Sequence, residues 1–379
     1  MREINESVVL GLIRQNGPIS RVAIARTSHL SAATVTGITT RLIAQGLVSE
    51  KSQGASTGGR RPILLSFNSR AGIAIGFKIT ERELVCVATD LSAEQEQHSR
   101  ITLPDHATPE DVIALIASEV DRAQGAATSR RLVGVGVGIA GVVDRPSGVC
   151  RLSPFLRWTD VPLRAALEDA VSVPVVVEND VNTLTFAVRG EVISTDRNSF
   201  IVVTVGRGIG LGMMLNGMPF RGARGQGGEF GHITVDPSGP TCECGKQGCL
   251  EAIASMPALI RDASSVIGRP ITEPELRELI LSEDRRLAPL ADHAAKVLGE
   301  ALATLVNILN PGKVVLSGEG AWLLNHTLRR IVHAMNSNVF DGLSDELEVR
   351  VEERGDEFWA AGAAGLLLDD VFHPRLQRA

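Results

Sequence analysis

Hydrophobic positions recur at two different intervals along this chain, and the switch between them falls near residue 70. Over residues 5–15, Val8, Val9, Leu12 and Ile13 keep helical spacing behind Asn5, and Gly17-Pro18 closes the run. Ser20 and Ser31 stand at N-cap positions ahead of RVAIARTSH and AATVTGITTRLIAQ, and Gly46 falls at the C′ position of the latter. Within this third helix Val35, Ile38, Leu42 and Ile43 form an apolar stripe; Ala32, Ala33, Thr34, Thr36, Gly37 and Arg41 occupy the other face. LVSEK (47–51) and PILLSF (62–67) then read as two strands around the Gly/Ser-rich tip QGASTGGRR.

This order predicts a winged helix-turn-helix over residues 1–70. Small residues at the start of a recognition helix allow close approach to base edges, and threonine hydroxyls can bond bases or phosphates. The DNA-facing set is therefore Ser20, Arg21, Ser31, Ala32, Ala33, Thr34, Thr36, Gly37 and Arg41, with Arg60 and Arg61 on the wing. A narrow minor groove attracts such arginines. A three-helix protein-interaction module with a solvated basic face is the alternative.

Beyond Asn68 short apolar runs take over. GIAIGF (72–77) and LVCVAT (84–89) predict a hairpin, PEDVIALIASEVDRAQ (109–124) a helix, and VGVGVGIAGVVD (133–144) a buried strand entering a glycine turn. A short helix near 161–170, the strand PVVVEND (174–180) and a helix from about Asn182 follow. A second round opens with FIVVTVG (200–206) and LGMMLNGMPF (211–220), where Asn216-Gly217 signals a type I′ turn. Helices are expected over 251–262, 273–282, 287–309 and 356–370, with strands at 313–320 and 346–353. Two rounds of hairpin, helix and parallel strand predict an α/β body of two lobes with a cleft between them.

Composition adds little until the charge is divided. Of 379 residues 44% are hydrophobic and 22% charged, room for two or three globular domains. The lack of Tyr and an aromatic content of 3% argue against a surface that stacks many rings. No apolar run nears the ~20 residues that span a bilayer. The opening MREINESVV also lacks the basic-then-apolar order of a signal peptide. With Cys86 and Cys150 in apolar strands, a reducing, cytoplasmic setting without a membrane partner is expected. Residues 1–70 carry nine Lys/Arg and three Glu, net +6; the chain as a whole is −6, so the remainder holds −12. A basic head on an acidic body points to double-stranded DNA as the head's partner.

The densest chemistry lies in residues 225–255, GQGGEFGHITVDPSGPTCECGKQGCLEAIAS, with three of the chain's five cysteines. Thiolate and imidazole suit tetrahedral zinc, and His232, Cys242, Cys244 and Cys249 make a closed, structural set. Gly239, Pro240, Gly245 and Gly248 supply the turns that a Cys-x-Cys chelate needs. A disulfide or coincidental clustering is the alternative. Glu229 and Glu251 have no ligand role once four better ligands are present, and a metal-bound His keeps a second ring nitrogen to offer. Such a loop could display carboxylates and an imidazole edge to a polyhydroxylated small molecule.

GGEFGHITVD followed by CECGKQGCLE closely resembles the signature of the ROK family (repressors, open reading frames and kinases), whose members bind sugars. SRVAIA, LSAATVTGI and GGRRP resemble the winged helix that precedes the ROK body in the family's repressors, so the likeness covers essentially the whole chain. It implies a duplicated ribonuclease-H-like, actin/hexokinase-like fold: a head at 1–70, a first lobe at 71–190 joined by the C-terminal helix 356–379, and a second lobe at 191–355 with the zinc loop. It also implies sugar contacts from Asn179, Asp180, Glu229, His232 and Glu251, with Gly141 and Ser153 lining the pocket.

In the family's kinases the Asp that matches Asp180 is the general base. Their first phosphate loop reads Asp-x-Gly-Gly-Thr; here it is Ala74-Ile75-Gly76-Phe77-Lys78, without the carboxylate, the second glycine or the threonine. The second, Gly206-Arg207-Gly208-Ile209-Gly210, keeps its glycines but has Arg207 where kinases usually have threonine, and reads as a tight hairpin turn. The expected function is a sugar-responsive, DNA-binding repressor, not an enzyme, with structural Zn2+, an effector sugar in the interlobe cleft and a homodimer or homotetramer as the working form. A ROK-type sugar kinase with a regulatory head is the rival.

Overall fold

Cap residues begin the head's second and third helices where the sequence marks them, whereas the first starts at Arg2 and carries Asn5 inside it rather than at its cap. Ser20 Oγ accepts from Ala23 N–H at 3.2 Å and Ser31 Oγ from Thr34 N–H at 3.1 Å, each satisfying a donor that the first helical turn leaves open. In the computed structural model, which describes residues 2–53, 62–127, 130–192 and 199–372, the head is α1 (Arg2–Asn16), β1 (Ile19–Ser20), α2 (Arg21–Ser28), α3 (Ala32–Ala44), β2 (Val48–Gln53) and β3 (Ile63–Phe67). Gly46 follows α3 with φ +74, the left-handed conformation that ends helices. The strands run in the order β1-β3-β2. Two-residue β1 is too short for periodicity to announce. Arg60 and Arg61, on the expected wing tip, lie outside the described residues.

Two compact units make up the chain: Met1–Gly141, Arg145–Glu178 and Ala360–Ala379 in the first, Val142–Asp144 and Asn179–Trp359 in the second. Beyond the head, the first unit contains β4 (Gly72–Ile79), β5 (Glu83–Asp90), β6 (Gln95–Thr102), α4 (Pro109–Ala126) and β7 (Arg131–Ile139). After the three-residue strand β8 (Val142–Asp144) come β9 (Val149–Ser153), β10 (Trp158–Val161), α5 (Leu163–Val171) and β11 (Val175–Asn179). The main sheet has the order β11-β7-β4-β5-β6, with β4 antiparallel to β5 and parallel to β7. Strand β6 was not expected from the sequence. It is an edge strand whose residues are mostly exposed, so no apolar alternation marks it. Helix α4 opens with a capping box between Thr108 and Asp111.

The second unit runs α6 (Asp180–Val192), β12 (Phe200–Val205), β13 (Ile209–Leu215), β14 (Met218–Phe220), α7 (Glu251–Ala254), α8 (Met256–Ile267), α9 (Glu273–Leu281), α10 (Ala288–Leu309), β15 (Lys313–Ser317), α11 (Ala321–Asn336) and β16 (Glu348–Val351). Its sheet, β14-β13-β12-β15-β16, again begins with an antiparallel hairpin and continues with parallel strands. The duplicated α/β body expected from the sequence is thus present. Asn216 and Gly217 both have positive φ, as a type I′ turn requires, and they join β13 to β14. The single helix expected over 251–262 is two, because Ser255 leaves helical geometry to cap α8 through Ala258 N–H. Helix α11 escaped the sequence reading: Gly320 caps it with no side-chain bond, so no cap signal marks its start.

The last helix, α12 (Asp356–Phe372), carries residues of both units. Trp359 is buried with Val181, Leu184 and Val188 in the second. In the first, α12 lies directly on strand backbone: a β-carbon at Gly76 would fall 1.9 Å from Ala360 O, and one at Gly136 2.0 Å from Ala363 O. Only hydrogen fits there. Farther along, Leu367, Leu368 and Phe372 join an apolar cluster with Val9, Leu10 and Ile13 of α1 and Val35 and Leu42 of α3.

Candidate functional site

The cysteine loop is shaped by close backbone approach. Gly248 has φ +69, and a β-carbon there would fall 1.5 Å from Asp236 O, so only glycine lets this turn pack. Val235 N–H bonds Gly248 O at 2.8 Å and Leu250 N–H bonds Ile233 O at 3.0 Å, fastening the loop to the segment after His232. Cys242 N–H to Lys246 O at 2.8 Å and Gly245 N–H to Cys242 O at 2.9 Å close the inner turn.

That folding gathers the four expected ligands. The donor atoms of His232, Cys242, Cys244 and Cys249 all lie within 4.8 Å of one another. Cys242 Sγ is 3.6 Å from His232 Nδ1, and Cys244 Sγ is 3.7 Å from Cys249 Sγ. A tetrahedron with bonds of ~2.3 Å to sulfur has edges of about 3.8 Å, close to these two separations, and the four donors together could hold a metal ion. Burial pushes the Cys249 thiol up to about 12 and raises Cys242, while Cys244 is lowered, first by the Lys246 backbone N–H. A cation held among them would supply what the buried Cys242 and Cys249 thiols lack to ionise. The sequence reading missed two supports: Lys246 Nζ donates to His232 O, and Arg207 pairs with Glu243 at 3.1 Å. Alternation of sign between the glycine loop and the CECG loop was the available hint.

Glu229 precedes the 3₁₀ turn Phe230–His232, whose buried Phe230 anchors it, so Glu229 and His232 share one short rigid element. Glu251 opens α7, and its Oε2 accepts from Ile209 N–H at 2.9 Å, tying the metal loop to the glycine turn after β12. Asn179 ends β11 and its Oδ1 accepts from Asn182 N–H at 3.2 Å; Asp180 Oδ1 accepts from Val181 N–H at 2.9 Å. These five residues belong to the second unit, Gly141 and Ser153 to the first. Ser153 Oγ donates to Ala140 O at 2.8 Å, and a β-carbon at Gly141 would meet Leu152 O, so this pair braces its own turn.

In the head, Val35, Ile38 and Leu42 point into the core, leaving Ser31, Ala32, Ala33, Thr36 and Gly37 exposed and Thr34 half-buried. Thr40 extends this face; its i+4 relation to Thr36 was the signal for including it. Arg41 bonds Glu6 Oε2 at 3.0 Å, and Arg21 bonds Thr39 Oγ1 at 3.0 Å and Glu50 Oε1 at 2.8 Å. Both arginines are thus tied within the head, at the rim of the small-residue face.

Residues 71–370 match the ROK family and residues 3–53 the MarR family. The chain is 31% identical to a putative xylose repressor of Caldicellulosiruptor sp. (strain Rt8B.4), over 98% of this chain and 97% of that one. It is 32% identical to the DNA-binding transcriptional dual regulator NagC of Escherichia coli K12, over 97% and 93%. A crystal structure of a ROK family transcriptional regulator, a homolog of the E. coli MLC protein, superposes with TM-score 0.86 at 25% identity, covering 98% of this chain and 97% of that one. A ROK hexokinase from Thermus thermophilus superposes with TM-score 0.68 at 33% identity, covering 77% of this chain and 96% of its own. Among the described residues, no helix is long and apolar enough to cross a membrane.

Proposed function

The chain belongs to the ROK family, and on that premise we propose that it is a sugar-responsive, DNA-binding transcriptional repressor. One observation carries the reading: relatives named as repressors match head and body together over nearly the whole chain, whereas the hexokinase matches 77% of it. The sugar is bound by Asn179, Asp180, Glu229, His232 and Glu251, and zinc on His232, Cys242, Cys244 and Cys249 keeps that imidazole and its loop in place. Binding shifts the population between two conformations. In a dimer the shift changes whether two heads match half-sites an integral number of helical turns apart. Ser31, Ala32, Ala33, Thr34, Thr36 and Gly37 face the bases.

Phosphoryl transfer is disfavoured by the first hairpin. Phosphate loops cradle ATP with backbone N–H groups at a glycine turn. Here Phe77 is fully buried within β4, the strand runs on through Lys78, and the turn comes only where Thr80 N–H bonds Glu83 O at 2.9 Å. A thermal-shift screen over monosaccharides and their phosphates, then gel shifts on the protein's own promoter with each hit, tests the proposal. A hit that releases the DNA is expected. Turnover of about 1–100 s⁻¹ with Mg-ATP and the same sugar, the range of kinases, would overturn it.

A further inference from the structure

Arg14 lies in the last turn of α1. Its guanidinium carbon is 5.4 Å from the centroid of the Phe67 ring and 4.8 Å from that of Phe372, and the two rings meet edge to face at 6.1 Å. Phe67 ends the wing strand β3, and Phe372 ends α12. One cationic side chain therefore touches a head helix, the wing and the C-terminal helix. The position is unfavourable for a charge. Nη1 of Arg14 is buried with no hydrogen-bond partner among the described residues, and burial lowers its pKa against the pull of Asp369 and Asp90. Arginine tolerates this better than lysine, since a planar, weakly hydrated guanidinium stacks on aromatic faces. Neither base reading nor sugar binding uses this group.

We propose that Arg14 is a positioning residue: held between Phe67 and Phe372, it fixes the orientation of the winged helix on α12. The inference rests on the reading of the head as a DNA binder. A single head meets a single half-site whatever its attitude on the body. Two heads joined through their bodies match paired half-sites only when each attitude is set. Losing the stack should therefore harm paired recognition and spare single recognition.

The probe is a paired-half-site duplex selected in vitro from a random pool by the full-length wild-type protein, with its severed half as control. Arg14→Ala and Phe372→Leu are expected to weaken binding to the paired duplex about tenfold, the scale of a desolvated cation–π contact. Half-site affinity and salt dependence stay unchanged. Phe372→Tyr, which keeps the aromatic face, retains wild-type affinity. Hydrogen exchange over residues 366–372 accelerates in Arg14→Ala and Phe372→Leu only. Equal losses on both duplexes, or a salt slope smaller by about one, would mean a folding or direct phosphate role and overturn the proposal; unchanged exchange would overturn it too. A selection that returns no duplex counts against the DNA-binding reading instead, and the exchange comparison still decides whether Arg14 holds the helix.

Discussion

Gly76 of the first hairpin and Gly206 and Gly208 of the second fall at different places relative to their strands. Gly76 lies inside β4 and faces helix backbone, with room for hydrogen alone between it and Ala360 O. Gly206 and Gly208 lie just past the end of β12, where Glu251 holds Ile209 N–H and Arg207 reaches Glu243 of the cysteine loop; Gly210 is already inside β13, against Val181 of α6. Both stretches read as a glycine-marked apolar strand in a hairpin. What separates them is where the glycine falls relative to the strand end. Inside the strand it lets a helix settle; past the end it shapes a loop.

Removing the proposed zinc is the strongest way to break this contrast. Cys249→Ser or Cys244→Ser should lower bound zinc, measured by elemental analysis, by more than about tenfold, and abolish the sugar-induced thermal shift. The wild-type protein should yield zinc to chelator more readily as pH falls from 8 to 6, since protons compete for the thiolates. A sugar shift that survives without metal would show that the second hairpin's loop stands unaided. Gly76→Ala comes next. It forces a methyl against Ala360 O and should cost about 3 kcal/mol, read by chemical denaturation. An unchanged midpoint would mean that α12 is not seated on β4. The mildest change is Arg207→Ala. The ion pair is exposed on both sides, so its loss should alter stability by less than about 0.5 kcal/mol and should vanish in high salt. A larger effect would make this link, rather than Glu251, the main tie between glycine turn and metal loop.

The sequence made legible whatever depends on spacing or on a single strong side chain. Ser20, Ser31 and Gly46 announce the head because cap chemistry is local. His232 and the three cysteines announce the donor cluster because few other residue types hold zinc. What stayed hidden depends on partners distant in the chain. Strand β6 exists because β5 offers an edge, not because its own residues alternate. Arg14 reads as one more basic residue of a basic head until Phe372, far along the chain, is brought against it. Arg21 and Arg41 likewise read from sequence as DNA-facing cations, and only the fold supplies Glu50 and Glu6 as their partners.

The seat of α12 has a consequence for how this chain can vary. With Gly76 under Ala360 and Gly136 under Ala363, the helix is keyed to its sheet like a shaft in a slot and admits one register. One residue inserted between Ala364 and Phe372 would swing the terminal ring about 100° around the axis, out from under the head. Lineages descended from this protein should thus tolerate length changes in surface loops but none in those last two turns.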